Sequence, residues 1–433
     1  MNDLVKIESL DQDGRGIAHA DGKVIFIYGA LPGETVAYSS FKRKPRYELA
    51  HATRVVQPAA MRVTPRCAHF GVCGGCSMQH LDARAQVAAK QRVLEDSLAH
   101  IGKVAAGQIL PAIYGEPWGY RHRARFSARF VPKKGGALVG FREKRSSHVT
   151  NMIACEVVPP RISRLLVPLR ALINSLSIPE RVPQVELAIG GPVDALVLRI
   201  LAPLTSGDEA CLREFAARHG VRFFLQHKGP DALIPLDPQA APAISYTLPE
   251  FALEIEFSPT EFTQVNPAIN AVLVRRAVAL LASQPGERVA DMFCGVGNFS
   301  LAIARGGASV LGIEGSRSLV LRATGSAVRN GLQDAVQFTH ADLFKIDIAA
   351  LEGLGRFDRM LIDPPRDGAV ELIKALGSNG PQRIVYVSCN PATLARDAGM
   401  LVNAHGYELA SAGVINMFPH TSHVESIAVF DRK

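Results

Sequence analysis

The 433-residue chain contains no apolar run approaching the roughly 20 residues needed to cross a bilayer. Its opening residues, Met1-Asn2-Asp3-Leu4-Val5-Lys6, lack the basic, apolar and small-residue segments of a secretory signal. Together these absences point to a cytoplasmic protein with no membrane partner. Internal repeats and low-complexity tails are missing too. Cysteine is sparse and odd in number, at seven, which in a cytosolic chain argues against a disulfide framework and for metal binding plus individual thiols. Acidic residues are slightly outnumbered, 40 against 48 basic ones, for a net charge of +8. That bias suits a polyanionic partner, although a basic soluble enzyme shows it as well.

An apolar content of 48% is ample for packed cores. The length predicts three domains at about 150 residues each, divided at 1–60, 61–260 and 261–433. In the first, Leu4–Ile7, Val24–Ile27, Thr35–Tyr38 and Ala52–Val56 read as short strands between Gly-containing turns, a pattern that predicts a small closed barrel. Its run Phe41-Lys42-Arg43-Lys44-Pro45-Arg46-Tyr47 sets basic side chains between aromatics, suiting phosphate contact and base stacking, or simply a solvated hairpin. The middle region reads as mainly β, with a helix from Ala83 to His100 and strands near Arg121–Phe130 and Gly136–Phe141. Arg121, His122, Arg123 and Arg125 lie where one strand face can display several cations.

Beyond residue 262 short apolar runs alternate with helical stretches: Val289–Phe293, Val310–Glu314, Val336–His340, Met360–Ile362 and Ile384–Val387. This predicts an α/β, Rossmann-like parallel sheet covered on both faces, with Glu408–Val414 and Val424–Phe430 as a closing antiparallel hairpin. The first run leads into Cys294-Gly295-Val296-Gly297-Asn298-Phe299-Ser300, with a helix expected from about Asn298. The complete G-x-G-x-x-G fingerprint is absent, since Ser300 stands at its last position; this disfavours a dinucleotide and favours a ligand without phosphates such as S-adenosylmethionine. Glu314 ends the second run, where a carboxylate can accept both ribose hydroxyls. Asp342 follows the third, placed for an adenine amino group or for a helix N-cap. Asp291 is placed to orient the turn or the amino-acid end of the ligand.

The fourth and fifth runs deliver Asp363-Pro364-Pro365-Arg366 and Ser388-Cys389-Asn390-Pro391 to the same rim, with Glu425 on the last strand. A cysteine after an apolar strand is ordinarily an inert buried thiol. Beside a cofactor turn and a carboxylate it suits another task. Uracil C5 is a poor nucleophile until a thiolate adds at C6, and a base must later remove the C5 proton. Cys389 is the expected nucleophile, Glu425 the expected base, and Asp363 a group that orients the uracil edge or the cofactor. Separately, Cys67-x5-Cys73-x2-Cys76 gathers three sulfurs in a Gly-rich loop, with Cys155 a distant fourth. The spacing lacks the paired knuckles usual for zinc and favours a [4Fe-4S] cluster; free thiols are the remaining reading.

These blocks, with Phe262-Thr263-Gln264-Val265-Asn266 and His423-Val424-Glu425-Ser426, resemble the RNA uracil-C5 methyltransferase family that uses S-adenosylmethionine. The barrel looks like a TRAM domain (an OB-type fold), and with the four cysteines the nearest branch is the bacterial 23S ribosomal RNA uracil-C5 methyltransferases carrying a [4Fe-4S] cluster. The resemblance implies that Gln264, Phe293, Asn298, Glu314, Asp342 and Asp363 line the cofactor site. It implies that Cys389 and Glu425 are catalytic, and that the helix after Ala83 packs on the catalytic domain. It makes 23S rRNA the expected partner, with no protein partner evident. Cytosine-C5 methylation is disfavoured because Asp363 stands where a second thiol is expected. Methylation of another rRNA site or of tRNA, and a noncatalytic ribosome-assembly role, stay open.

Overall fold

The computed structural model describes residues 4–227, 229, 232–240, 244–377 and 380–433; Met1, Asn2 and Asp3 of the N-terminal reading lie outside them. The first 57 residues build a six-stranded sheet in the order Leu4–Lys6, Thr35–Arg43, Tyr47–Gln57, Lys23–Tyr28, Gly16–Ala20, Ser9–Leu10. Alternation sends Val5, Ile7, Ala18, Ile25, Ile27, Val36 and Ala50 inward to one small core. A hydrogen bond from the Glu8 N–H to the Ile17 carbonyl curls the sheet toward closure. Buried Glu34 ties the barrel to the next segment through Arg62, at 2.5 Å, and the amides of Leu31 and Ala59. Burial alone would raise its pKa, yet these donors hold it below the usual carboxylate range.

The middle region differs from the mainly β expectation. Its six strands run Leu233–Pro235, Val221–Gln226, Val193–Arg199, Gln184–Gly190, Arg123–Val131, Gly136–Gly140. Helices Leu166–Ser175 and Ser206–His219 pack on them, and the second helix is the crossover between two parallel strands. The layer is therefore mixed α/β. The helical signals are local: Leu166, Leu169, Leu172 and Ile173 recur at helical spacing, Thr205 with Asp208 forms a capping box at the start of the second helix, and Gly220 caps its end. The expected cationic face is also broken. Arg125 is paired with Glu186, while Arg123 folds inward to the Pro259 carbonyl and lies over Phe257.

The C-terminal sheet has eight strands in the order Val336–His340, Ser309–Glu314, Arg288–Met292, Arg359–Ile362, Arg383–Ser388, Glu425–Arg432, Tyr407–Ile415, Gln108–Ile109. The first five are parallel and the Glu425 strand is antiparallel to both neighbours. The closing hairpin forms as expected, but the outer strand comes from residues 108–109, far back in the chain. Helix Ala83–Ser97, capped by Asp82, also packs on this unit: buried Val87 and Leu94 share a core with Leu394, Leu401 and Val414. The hairpin Ile244–Leu248 and Leu253–Phe257 packs there too, against Leu273, Val274 and Leu301. Strand order reverses between Arg288–Met292 and Arg359–Ile362, so a ligand crevice opens beyond their carboxyl ends.

Candidate functional site

The crevice is floored by the glycine turn. Gly295 has φ +56° and Gly297 φ +88°, left-handed values that glycine reaches without a Cβ clash. A Cβ on Gly295 would project into open space, whereas one on Gly297 would lie 3.1 Å from the Phe338 ring. Phe293 shares the left-handed region at φ +65°, and its ring packs 5.5 Å from Phe344. Glu314 accepts from the Gly295 N–H at 3.0 Å and the Ser316 N–H at 2.9 Å, one bond to each oxygen. Each oxygen keeps a lone pair for a ribose hydroxyl. Asp291 is fully buried, bonded to the Ser300 hydroxyl at 2.5 Å through one oxygen, while the other lacks a partner. Burial pushes its pKa up to about 7.

The other residues expected at the cofactor site have these surroundings. The helix starts at Ser300 rather than Asn298. Asn298 instead pairs amide to amide with Asn270, both bonds at 3.0 Å, and accepts from the Tyr246 hydroxyl. Asp342 is no helix N-cap: it accepts from the Phe344 N–H, pairs with Lys345, and stays exposed, while Asp347 caps the helix that follows. Gln264 is half-buried in the loop whose Asn266 caps helix Pro267–Leu281.

Across the crevice lies the thiol. Ser388 is paired with Ser426, so the next antiparallel step sets Cys389 opposite Glu425. Cys389 is half-buried and Glu425 is 5% exposed. Burial pushes the thiol up to about 11, and the neighbouring Glu425 and Asp363 charges push the same way. Burial likewise raises Glu425 to about 7 against the pull of Arg366 and Lys90. The Asp363 carboxyl is held well above the usual range by burial, with Glu425 and Asp291 beside it. Three acidic groups thus share one poorly solvated rim, and each disfavours ionisation of the others. Arg366, exposed at the mouth, donates to His423 Nδ1 at 2.9 Å, which makes that nitrogen the acceptor.

A second site lies on the middle region. Cys67, Cys73, Cys76 and Cys155 line one cavity together with Phe70, Phe141 and Met152. A Cβ on Gly74 would meet the Arg142 carbonyl at 2.8 Å, so the loop closes on its neighbour only with glycine there. Amides point at the sulfurs: Gly75 N–H at Cys73, and Val157 and Val158 at Cys155. Burial pushes Cys76 up to about 11 and Cys155 to about 12. Among the described residues no group of three or more His, Cys, Asp or Glu side chains converges on a single ion position.

The family model described as tRNA (Uracil-5-)-methyltransferase matches residues 250–433, and a TRAM domain model matches residues 4–37. The 23S rRNA (uracil(1939)-C(5))-methyltransferase RlmD of Nitrosospira multiformis is 62% identical over 430 residues, covering 99% of this chain and 98% of that protein. The protein of the same name from Dechloromonas aromatica is 59% identical, covering 98% and 99%. The chain belongs to the 23S rRNA (uracil-C5)-methyltransferase family. The family fold extends to a distant solved structure, the tRNA (uracil-54, C5)-methyltransferase of Pyrococcus abyssi with S-adenosyl-L-homocysteine, at TM-score 0.76, 23% identity and 99% coverage of both chains.

Within this family member the sequence reading missed several residues around the rim. Lys90 is buried and donates to Asn416 and to the Phe418 carbonyl, and its place between Val87 and Leu94 on the apolar helix face was the available signal. Trp118 stacks on His420 at 3.8 Å between ring centroids, and the His420 carbonyl receives the N–H groups of both Ser77 and Met78. The segment leading to Glu425 is thereby bonded to the cysteine loop. At the barrel, exposed Phe41 packs on His51 at 4.8 Å and receives Arg145 from the cysteine-bearing region at 4.3 Å. The basic–aromatic hairpin thus meets a cation that no local pattern links to it.

Proposed function

We propose that this protein methylates C5 of a uridine in 23S rRNA with S-adenosylmethionine, the uridine being the counterpart of position 1939 in its relatives' names. The observation that carries the reading is the cross-strand placement of Cys389 against Glu425 at the mouth of the cofactor crevice. The crevice fits the donor: open space over Gly295, free lone pairs on Glu314 and an orphaned oxygen on Asp291 are all present. Gln264, Phe293, Asn298, Glu314, Asp342 and Asp363 are the residues that would hold it. When bound, S-adenosylmethionine supplies the electrophilic methyl group that C5 takes up.

The chain's own residues manage the rest. The half-exposed Cys389 Sγ releases its proton to solvent water and bonds to uracil C6, and the C5–C6 π electrons move toward the C4 carbonyl oxygen, making C5 nucleophilic. Asp363, whose ionisation is disfavoured by burial and by Glu425 and Asp291 beside it, can in its protonated form donate a hydrogen bond to a base carbonyl, and Arg366 can hold a phosphate or carbonyl. Once sulfur is bonded to carbon it no longer carries the charge that opposes Glu425. Glu425 then takes the C5 proton, the C5–C6 double bond re-forms and Cys389 leaves as thiolate. The test is a covalent complex with 5-fluorouridine-containing 23S rRNA, where C5 carries fluorine and the base cannot finish. Cys389→Ala should abolish the complex; its survival in that variant removes Cys389 as nucleophile.

Cys67, Cys73, Cys76 and Cys155 are proposed to hold a [4Fe-4S] cluster. Supporting this are the shared cavity and the amides directed at sulfur.

A further inference from the structure

One buried carboxylate is used by nothing described so far. Asp397 is fully buried on helix Pro391–Ala404, which begins two residues after Cys389. The Ala369 N–H at 2.8 Å and the Tyr386 hydroxyl at 2.6 Å donate to one of its oxygens. Arg396 Nε and Nη2, both at 2.8 Å, reach the other, so a cation matches the buried charge. These partners come from the two segments that the reaction brings together. Ala369 closes the loop that carries Asp363 and Arg366, and Tyr386 stands three residues before Cys389 on its strand. Parallel pairing of the two strands ends at Ile362 with Tyr386, and the Asp363 N–H still bonds to the Met292 carbonyl. Beyond Asp363 the sheet leaves the course of the loop open. The helix after Cys389 sets it instead. The Gly368 N–H bonds to the Pro365 carbonyl at 3.0 Å, a turn with Arg366 and Asp367 at its corners. The Arg366 carbonyl accepts from Asn390 Nδ2 at 3.2 Å and lies 3.2 Å from the Thr393 hydroxyl. The Asp367 carbonyl accepts from Arg396 Nη2 at 2.7 Å. Gly368 has φ +78°, and a Cβ there would lie 2.6 Å from Asp397 Oδ2, so the turn closes on the carboxylate only with glycine. The main chain of the turn is thereby held, while the Arg366 side chain stays exposed at the mouth.

Resting on the uracil reaction above, we propose that Asp397 and Arg396 are positioning residues. They lock the Pro365–Gly368 turn to the helix behind Cys389 and so hold Arg366 at a set place relative to the sulfur, where it engages a phosphate or base carbonyl of the substrate. A buried ion pair contributes little net stability, because desolvation offsets the attraction. The partners of this one give it another use: a single carboxylate joins the strand that delivers the thiol to the loop that delivers the guanidinium. Cys389 follows a strand paired on both sides, and Asp363 is bonded to the neighbouring strand, so loosening the joint displaces Arg366 first. The glycine turn that receives the cofactor follows a different strand, Arg288–Met292, so cofactor affinity should not change.

The experiment compares wild type with Asp397→Asn, Arg396→Gln and Arg396→Lys, each made alone and together with Arg366→Ala, on a 5-fluorouridine-containing 23S rRNA fragment. The second-order rate of adduct formation is measured at limiting RNA and saturating S-adenosylmethionine. Calorimetry gives the affinity for S-adenosylhomocysteine, and melting curves report folding. Expected for Asp397→Asn and Arg396→Gln are adduct rates roughly ten- to a hundredfold below wild type, with S-adenosylhomocysteine affinity within about twofold. Arg396→Lys keeps the charge and should recover part of the rate. In the Arg366→Ala background the same changes should slow the adduct by less than about a further twofold, because the side chain they place is gone. Arg396 is partly exposed, so Arg396→Gln decides the matter if Asp397→Asn unfolds. A folded Asp397→Asn or Arg396→Gln with the wild-type rate overturns the proposal. So does an Arg396→Lys as slow as Arg396→Gln, a wild-type rate in Arg366→Ala alone, or an equal further drop in the Arg366→Ala background. A parallel loss of cofactor affinity, or failure of both variants to fold, also overturns it, since the pair is then structural. If wild type itself forms no adduct, the uracil reading fails first and this inference with it.

Discussion

Cys389 and Glu425 make opposite demands on one small volume. The thiol must ionise early, and a charged carboxylate beside it makes that harder; the carboxyl must be ionised late, after the sulfur has spent its charge on carbon. Burial sets both resting states, the thiol up to about 11 and the carboxyl up to about 7, so the free site rests with little negative charge. Glu425→Gln should therefore leave adduct formation intact and block its resolution. We expect a covalent methylated complex with ordinary uridine RNA and turnover lower by at least about a hundredfold, the usual reach of a positioned base. Gel shift under denaturing conditions, with labelled cofactor, measures both. In wild type the base is lost as pH falls through about 7, so turnover should drop on the acid side while the 5-fluorouridine adduct persists. An adduct that vanishes together with turnover would assign the acid limb to another group.

At the scale of elements, the turn after strand Arg288–Met292 governs cofactor binding. Its left-handed Gly297, within 3.1 Å of Phe338 at the missing Cβ, leaves no room for a branched side chain. Gly297→Val should cost about 1–3 kcal/mol in stability and abolish binding of S-adenosylhomocysteine, with Gly297→Ala milder; calorimetry and melting curves separate the two effects. Strands of the parallel sheet were legible because they are short, largely apolar runs separated by helical stretches, and Val336–His340 falls on the predicted bounds. The two helices of the middle layer were missed because strand-like runs on either side masked their spacing. The capping box at Thr205 and the glycine at 220 would have revealed the second.

At the scale of the whole molecule, the three larger sheets among the described residues are joined by polar contacts as well as by cores. Glu34 and Arg62 fix the barrel, Arg145 reaches its aromatic face, and the cysteine loop is hydrogen-bonded to the segment before Glu425. A filled cysteine site should then matter to global stability. Cys155→Ser is expected to lose iron and visible absorbance and to melt well below wild type, as chelated wild type should; stoichiometric zinc in the purified protein would refute the cluster. What the sequence alone determined was whatever depends on neighbours in the chain: the parallel-sheet pattern, the glycine turn, the cysteine spacing, and the motifs that end in Cys389 and Glu425. Tertiary structure alone decided which distant groups share a volume, namely Lys90 on Asn416, Asn270 on Asn298, and Arg145 over Phe41. The physical reason is range. Propensity and periodicity act over a few residues, whereas desolvation and charge pairing act through space and are set only when helices and strands from remote parts of the chain close on one another.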